Sequence, residues 1–160
     1  MAKEHHYDLD IQWTGNRGEG TASYRTYDRS HTIKAHGKVP IEASSDPSFR
    51  GDKTKYNPEE LLVASLSSCH MLWVLHLCAV NGVVVTDYRD EAVGVMLVSD
   101  DGDGMFKEVI LKPTVTVTQS DMIEKLEAIH TEANKKCFIA KSVNFPVHHL
   151  PEAMVKSTAD

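Results

Sequence analysis

Three cysteines are the side chains of this sequence with the most reactive chemistry open to them. Cys69 and Cys78 lie in one apolar run, NPEELLVASLSSCHMLWVLHLCAVNG, and Cys137 lies far along the chain. A cysteine reacts as its thiolate, so a reactive one needs a cation, a helix N-terminus or a nearby base. The plainer interpretation of each cysteine is a small hydrophobic side chain in a buried helix.

Helical spacing separates the two cysteines of the apolar run. Cys78 follows Cys69 by about two and a half turns, which puts it on the opposite helical face, so the two cannot pair. The neighbours of Cys69 three and four residues away include no base; they are Ser65, Leu66, Leu72 and Trp73. The adjacent His70 points about 100° away from it. We therefore expect Cys78 to be a buried hydrophobic residue and Cys69 to depend on groups from other elements.

The apolar run predicts a central helix over 58–81. Asn57 suits the N-cap, Pro58 the first helical position, and the acidic Glu59 the positive end of the helix dipole. Its apolar residues surround nearly the whole helix, which is typical of burial on most sides. The run is long enough to span a bilayer, but its serines, histidines and asparagine are costly in lipid, so a soluble protein is favoured.

Composition narrows the classes of function. A chain of 160 residues is most simply one domain, and a net charge of −6 disfavours a nucleic-acid or membrane partner. Three cysteines are too few for a secreted disulfide scaffold, and MAKEHHYDLD does not resemble a signal peptide, so we expect a cytoplasmic protein. The histidine pairs at 5–6 and 148–149 lack metal-ligand spacing, and we expect them to be solvated.

The remaining pattern predicts the order of the elements. Alternating apolar residues and glycine turns indicate N-terminal strands within 7–36, with the segment TASYRTY extended, followed by a loop over 38–57. After the central helix, two long strands form a hairpin over 83–118, closed by the turn DDGDG. A second helix over 120–136, capped by Ser120, precedes a C-terminal segment over 137–160 that contains a short strand and a tail.

Three motifs, in order, resemble the osmotically inducible protein C (OsmC) and organic hydroperoxide resistance (Ohr) family. NPEELLVASLSSC is similar to the family's helix start, in which the reactive cysteine follows the first glutamate by ten residues, as Cys69 follows Glu59. IQWTGNRGEGTASY is similar to its glycine-rich hairpin, whose arginine corresponds to Arg17. ANKKCFIAKSV resembles its second-cysteine segment and makes Cys137 the partner thiol. The resemblance spans residues 7 to 146.

The resemblance implies a fold and an activity. The fold is α+β, with a strongly curved antiparallel sheet around two central helices, and it assembles as an intertwined homodimer with active sites at the subunit interface. The activity is that of a thiol peroxidase, which reduces organic hydroperoxides to alcohols without a cofactor or metal and is re-reduced by a dithiol, for instance of lipoyl type. The nearly all-apolar helix supports the dimer independently, since a small monomer would struggle to cover it.

The same resemblance gives each site residue a role. Cys69 attacks the peroxide, and Cys137 condenses with the resulting sulfenic acid to form a disulfide. The guanidinium of Arg17 stabilises the thiolate and the leaving oxygen, and the carboxylate of Glu59 is suited to hold that guanidinium in a bidentate pair.

Two alternatives stay open at this point. The family's usual Cys-Pro-x-Ser is replaced here, with Phe138 and Ala140 in place of proline and serine. That departure allows a binding or stress protein of the same fold whose thiols do not turn over. A metal-binding protein that uses Cys69, Cys137 and one of the nine histidines is the other alternative.

Overall fold

The computed structural model describes residues 3–157 of the chain. The chain divides into two compact units, one up to Leu61 and one from Leu62 onward, and each is described by itself. The content is mixed α and β, with two α-helices and three three-stranded sheets in the described residues.

The first unit is built on a small antiparallel sheet. Its strands are β1 (Asp10–Trp13), β2 (His31–Lys34) and β3 (Ile41–Ala43), paired in that order. The segment TASYRTY, predicted to be extended, instead forms a series of turns, and only Tyr27 pairs across, with Asn16. Side-chain hydrogen bonds explain the difference, because the hydroxyls of Thr26 and Ser23 accept the backbone N–H groups of Ser23 and Arg25, which a strand would pair. The predicted loop over 38–57 contains β3 and a short 3-10 helix, Pro47–Phe49.

Helix α1 (Pro58–Val80) begins and ends where the sequence predicts. Asn57 Oδ1 accepts from the N–H of Glu60 at 2.8 Å, and Glu60 Oε2 accepts from the N–H of Asn57 at 3.1 Å, which is a reciprocal capping box. At the other end Gly82 has a φ of +68°, and the N–H of Val83 donates to the carbonyl of Cys78 at 2.9 Å. This pattern is a Schellman stop, which satisfies the last carbonyls of the helix.

The burial of α1 differs from the prediction. Its fully buried residues form one stripe at four-residue spacing: Leu66, His70, Val74 and Cys78. Other apolar residues of α1 are exposed to solvent; Leu72 and Val80 are 62% and 64% exposed. The prediction of a helix buried on most sides is therefore wrong for the single chain. By length and composition α1 could also cross a membrane, a test that core helices of soluble proteins pass as well.

The long hairpin is interrupted once in each arm, so that four strands replace the two predicted. They are β4 (Val85–Asp90), β5 (Val93–Val98), β6 (Gly104–Leu111) and β7 (Pro113–Val117). The register continues across the break, since Val93 faces Ile110 and Asp90 faces Pro113. Proline has no N–H for the ladder, and the carboxylate of Asp90 accepts the N–H of Lys112 at 2.7 Å instead.

The C-terminal segment contains two strands instead of one. Strand β8 (Val147–His149) pairs with β6, and β9 (Glu152–Val155) pairs with β7, both in parallel. The sheets of the second unit are therefore β5-β6-β8 and β4-β7-β9, and the prediction of a purely antiparallel sheet is wrong. The predicted tail lies partly outside the described residues.

The second predicted helix is two elements. A 3-10 helix over Ser120–Lys125 follows Gln119, which makes no side-chain cap, and α2 spans Leu126–Lys136. The predicted cap by Ser120 is therefore wrong. Helix α2 buries Ile129 and Ala133 in a core that also contains part of the α1 stripe and the inward face of β7. The other core of this unit joins Leu66 to β6 and to the segment after α2.

The C-terminal stop of α1 gives a first prediction. Gly82→Ala should lower the free energy of unfolding by about 1–2 kcal/mol, because a Cβ in the left-handed region is strained. Gly82→Asn is the matched control and should lose less, since asparagine tolerates this conformation. Urea unfolding followed by tryptophan fluorescence measures both. Equal stability of the alanine variant and the parent chain would contradict this account of the helix end.

Candidate functional site

Cys69 lies on α1, half-buried, next to an anchor that ties the helix to the sheet. The hydroxyl of Ser67 donates to Asp90 Oδ2 at 2.5 Å, and the same carboxylate holds the N–H of Lys112 through Oδ1. One turn of α1 is thus fixed to both arms of the long hairpin. This anchor therefore fixes where Cys69 lies relative to the two arms of the hairpin.

Cys137 lies at the end of α2, where the chain leaves the helix. Its N–H donates to the carbonyl of Ala133 at 2.9 Å, and its ψ of 114° turns the backbone to an extended form. The residue is 1% exposed. A helix end therefore fixes the position of this thiol.

The structure brings Cys69 and Cys137 together within the second unit. Burial raises the pKa of Cys137 to about 11, and the nearby thiol of Cys69 adds to that increase. The N–H of Ala140 donates to Cys137 Sγ at 3.4 Å and acts in the opposite direction. All three cysteines of the chain are free thiols. The thiols of Cys69 and Cys137 are therefore close together and are not joined by a disulfide.

Phe138 and Ala140, which depart from the family's second-cysteine motif, have different surroundings. Ala140 packs against the core that contains Leu66, and its N–H reaches the sulfur of Cys137. Phe138 is 68% exposed and meets the ring of Trp73 edge-on, with 5.8 Å between ring centres. Leu72, on α1, is also exposed. An open apolar surface formed by Leu72, Trp73 and Phe138, here called the apolar patch, thus lies on the segments that carry the two thiols.

Cys78 is part of the core. It is 1% exposed among the valines of β7 and the apolar face of α2, and burial raises its pKa to about 11. A buried thiol with a raised pKa reacts poorly with molecules in solution. This environment matches the predicted buried hydrophobic residue.

Arg17 belongs to the first unit, in a tightly built turn. Its Nη2 and Nε donate to the carbonyls of Arg25 and Thr26 at 2.5 and 3.3 Å, and Nε lies 3.8 Å from Asp28 Oδ1. Gly15 leaves no room for a Cβ against the Asp28 carbonyl, which closes the turn. The guanidinium is half exposed and already oriented by its own hairpin.

Glu59, in the first turn of α1, is half-buried. Within the described residues its Oε2 is buried without a hydrogen-bond partner. The predicted ion pair with Arg17 is not among the contacts of the first unit, where the carboxylate beside Arg17 is that of Asp28. A buried carboxylate oxygen is costly unless a donor reaches it, so this side chain is suited to accept one.

The sequence analysis missed a group of histidines. His70 and His130 are buried, with His70 Nε2 3.0 Å from His130 Nδ1, and the half-buried His149 lies close to both. The expectation that His149 is solvated is wrong. One signal was present in the sequence, since His70 falls four residues after Leu66 and four before Val74, on the buried stripe.

Across residues 3–157, no group of three or more histidine, cysteine, aspartate or glutamate side chains is arranged to hold a metal ion. The second unit therefore holds two adjacent thiols and an apolar patch, and the first unit, taken by itself, holds an oriented guanidinium and an unsatisfied carboxylate.

One family model and three known proteins are similar to this chain. The family model described as OsmC-like protein matches residues 51–149. An OsmC-like protein of unknown function from Vibrio cholerae is 31% identical, with a TM-score of 0.83 over 92% of this chain and 99% of that one. The uncharacterised protein YmaD of Bacillus subtilis is 24% identical over 96% of each chain. An organic hydroperoxide resistance protein from Elizabethkingia anophelis shares the fold, with 14% identity and a TM-score of 0.68 over 98% and 100% of the two chains.

The exposure of the three thiols predicts their order of alkylation. At pH 8 iodoacetamide should modify Cys69 first, because it is the least buried cysteine. A thiol with a pKa near 11 is thiolate in only about one molecule in a thousand at that pH, so Cys78 and Cys137 should react far more slowly. Peptide mass mapping over time measures the order, and unfolding in urea should equalise the three. Modification of Cys78 at the rate of Cys69 would contradict the structure.

Proposed function

This chain belongs to the OsmC-like protein family, and on that premise we propose that it is a thiol peroxidase that reduces organic hydroperoxides to alcohols. One observation carries the proposal. A half-buried thiol, Cys69, has a second thiol, Cys137, as its neighbour, so an oxidised sulfur would have a resolving partner at hand.

The proposed reaction has two steps. The thiolate of Cys69 attacks the terminal peroxide oxygen; an S–O bond forms, the O–O bond breaks, and the alkoxide takes up a proton and leaves as the alcohol. Cys137 then attacks the sulfenic sulfur; an S–S bond forms and the hydroxyl group leaves as water. A dithiol, of lipoyl type in our proposal, reduces the disulfide and restores both thiols.

Arg17 and Glu59 have proposed roles in the first step. A guanidinium is always charged and presents donors in a fixed plane, so it can stabilise both the thiolate and the departing oxygen. The turn around Arg17 already orients it, and the unsatisfied Glu59 Oε2 is suited to accept one of its N–H groups. In the proposed homodimer, the subunit interface brings these groups and the thiols into one site. The exposed apolar residues of α1 support such an interface.

The apolar patch supports an organic substrate. Of the apolar residues near Cys69, Leu66 is buried in the core, whereas Leu72 and Phe138 are exposed. An alkyl or aryl group gains about 0.8 kcal/mol for each methylene that it buries against such a surface. Hydrogen peroxide has no apolar part to bury. We also propose a cytoplasmic location, since the cycle needs reduced thiols.

The first test compares three cysteine variants in a peroxide-consumption assay with a dithiol reductant. Cys69→Ser should abolish consumption, because the attacking sulfur is gone. Cys78→Ser is the matched control on the same helix and should retain nearly full activity, although its lost packing should cost some stability. Equal loss from both substitutions would sink the assignment of Cys69.

In the same series, Cys137→Ser should react once and then stop. Cys69 should form a sulfenic acid and then over-oxidise, because no resolving thiol remains. Mass spectrometry after one equivalent of peroxide distinguishes the products. A parent chain that forms no Cys69–Cys137 disulfide would favour a binding protein of the same fold over an enzyme.

Substrate preference gives a separate prediction. The kcat/KM should be highest for cumene hydroperoxide, lower for tert-butyl hydroperoxide and at least about tenfold lower for hydrogen peroxide, since each 1.4 kcal/mol is about tenfold. Phe138→Asn should reduce the preference for cumene hydroperoxide, whereas Met105→Asn, at a similarly exposed residue of β6, should not. A flat series in the parent chain would mean that the apolar patch does not bind substrate.

A further inference from the structure

The three histidines of the second unit come from three different elements. His70 is on α1, His130 on α2 and His149 on β8, and their ring centres lie 5.3, 5.5 and 6.2 Å apart. His70 and His130 are 1% and 0% exposed, and His149 is half-buried. This arrangement, here called the histidine cluster, has no role in the proposed chemistry.

The buried contact between His70 and His130 favours two neutral rings. The 3.0 Å between His70 Nε2 and His130 Nδ1 makes up most of the 5.3 Å between ring centres, so the rings meet edge to edge. One facing nitrogen donates and the other accepts. A first added proton buries an unpaired charge, and a second puts N–H groups on both facing atoms, which removes the hydrogen bond.

The surroundings offer little to stabilise a charge. Within residues 3–157, His70 Nδ1 and His130 Nε2 are buried without a partner, and no carboxylate forms an ion pair with any ring of the cluster. Other titratable groups lie nearby. On β8, His148 lies 3.6 Å from Glu108 of β6, and a cleft of about 480 Å³ beside His130 is bordered by three glutamates: Glu124, Glu127 and Glu152.

The pKa directions agree with this geometry. Burial, followed by the other two rings, lowers the pKa of His70 to about 3. Burial and His149 lower the pKa of His130 to about 4, and burial and His148 lower that of His149. The unfolded chain, with histidine pKa values near 6.5, therefore binds more protons below that pH. Stability is complete above about pH 6.5 and is lost as the pH falls toward the folded-state values.

The cluster lies between the two helices that carry the thiols. Cys69 is the residue before His70 on α1, and α2 carries His130 and ends at Lys136, the residue before Cys137. The His70–His130 hydrogen bond is therefore a polar link between the element that holds the attacking sulfur and the element that leads to its partner. A change in this link would alter the approach of the two sulfurs.

We propose that the neutral rings of His70, His130 and His149 form a clamp that positions α1 against α2 for closure of the Cys69–Cys137 disulfide, and that mild acid weakens the clamp by favouring the unfolded chain, in which the rings bind protons. The proposal rests on the proposed function for its biological meaning, but the clamp can be tested without peroxide. The three histidines are positioning residues, because they act on the thiols only through the helices.

The first experiment measures urea unfolding of the full chain at pH 7, 6 and 5. The comparison is between the parent chain, the double variant His70→Leu with His130→Met, and His76→Gln, a control on the exposed face of α1. Between pH 6 and 5 the folding constant of the parent should fall about fiftyfold more than that of the double variant, because two buried rings no longer titrate on unfolding. The control should follow the parent. A parallel loss in parent and double variant would overturn the clamp.

The second experiment measures disulfide closure with one equivalent of diamide, an azo oxidant that takes two electrons and two protons from the two thiols. At pH 7 the parent chain should close the disulfide faster than the double variant, because the clamp holds α1 against α2, and His76→Gln should match the parent. Equal rates in the parent and the double variant would overturn the positioning role. A slower double variant in a protein that does not consume peroxide would refute the proposed function and leave the clamp intact.

A measurement on the parent chain decides the case if the double variant does not fold. The ring C–H signals of His70 and His130 in nuclear magnetic resonance should show neutral imidazoles down to pH 5. Titration of either ring near pH 6.5 in the folded protein would overturn the proposal.

Discussion

Much of the second unit depends on one constraint, which is that α1 buries a single narrow stripe. Residues at four-residue spacing, from Leu66 to Cys78, fill two cores, one against β6 and one against β7 and α2. The rotation of the helix about its axis is fixed by polar contacts as well as by packing, because His70 on the stripe meets His130 and Ser67 beside it donates to Asp90. That rotation places Cys69 beside the stripe, partly open, and Cys78 within it.

How much of this could be read from the sequence depends on the range of the interactions. The ends of α1 were predictable because caps are local: Asn57, Glu60 and Gly82 act within one turn. The family resemblance pointed to Cys69 and Cys137, and the structure brings them together. The breaks in the hairpin were not predictable, because they depend on Asp90 bonding to Ser67 and Lys112 across the fold. The histidine cluster joins three elements, and only the position of His70 on the stripe hinted at it.

The departure from the family's second-cysteine motif has a physical consequence for the site. Where the family has proline and serine, this chain has an exposed aromatic ring and a small core residue. Ala140 keeps a backbone donor on the sulfur of Cys137, so the thiol is held without a side-chain hydroxyl. Phe138 adds apolar surface next to Trp73. The local chemistry at the second thiol is therefore set by the backbone and by packing.

The parallel pairing of β8 and β9 has a consequence for how the chain is made. Each closes its sheet on a strand that was synthesised some forty residues earlier, with Val147 facing Val109 and Glu152 facing Thr114. Long-range parallel pairs form slowly, because a long loop must close first. The hairpin of β4 to β7 therefore leaves the ribosome with two unpaired edges, which stay open until residues near Val155 have emerged. During that interval the nascent chain presents strand edges that a chaperone, or another nascent copy, can bind.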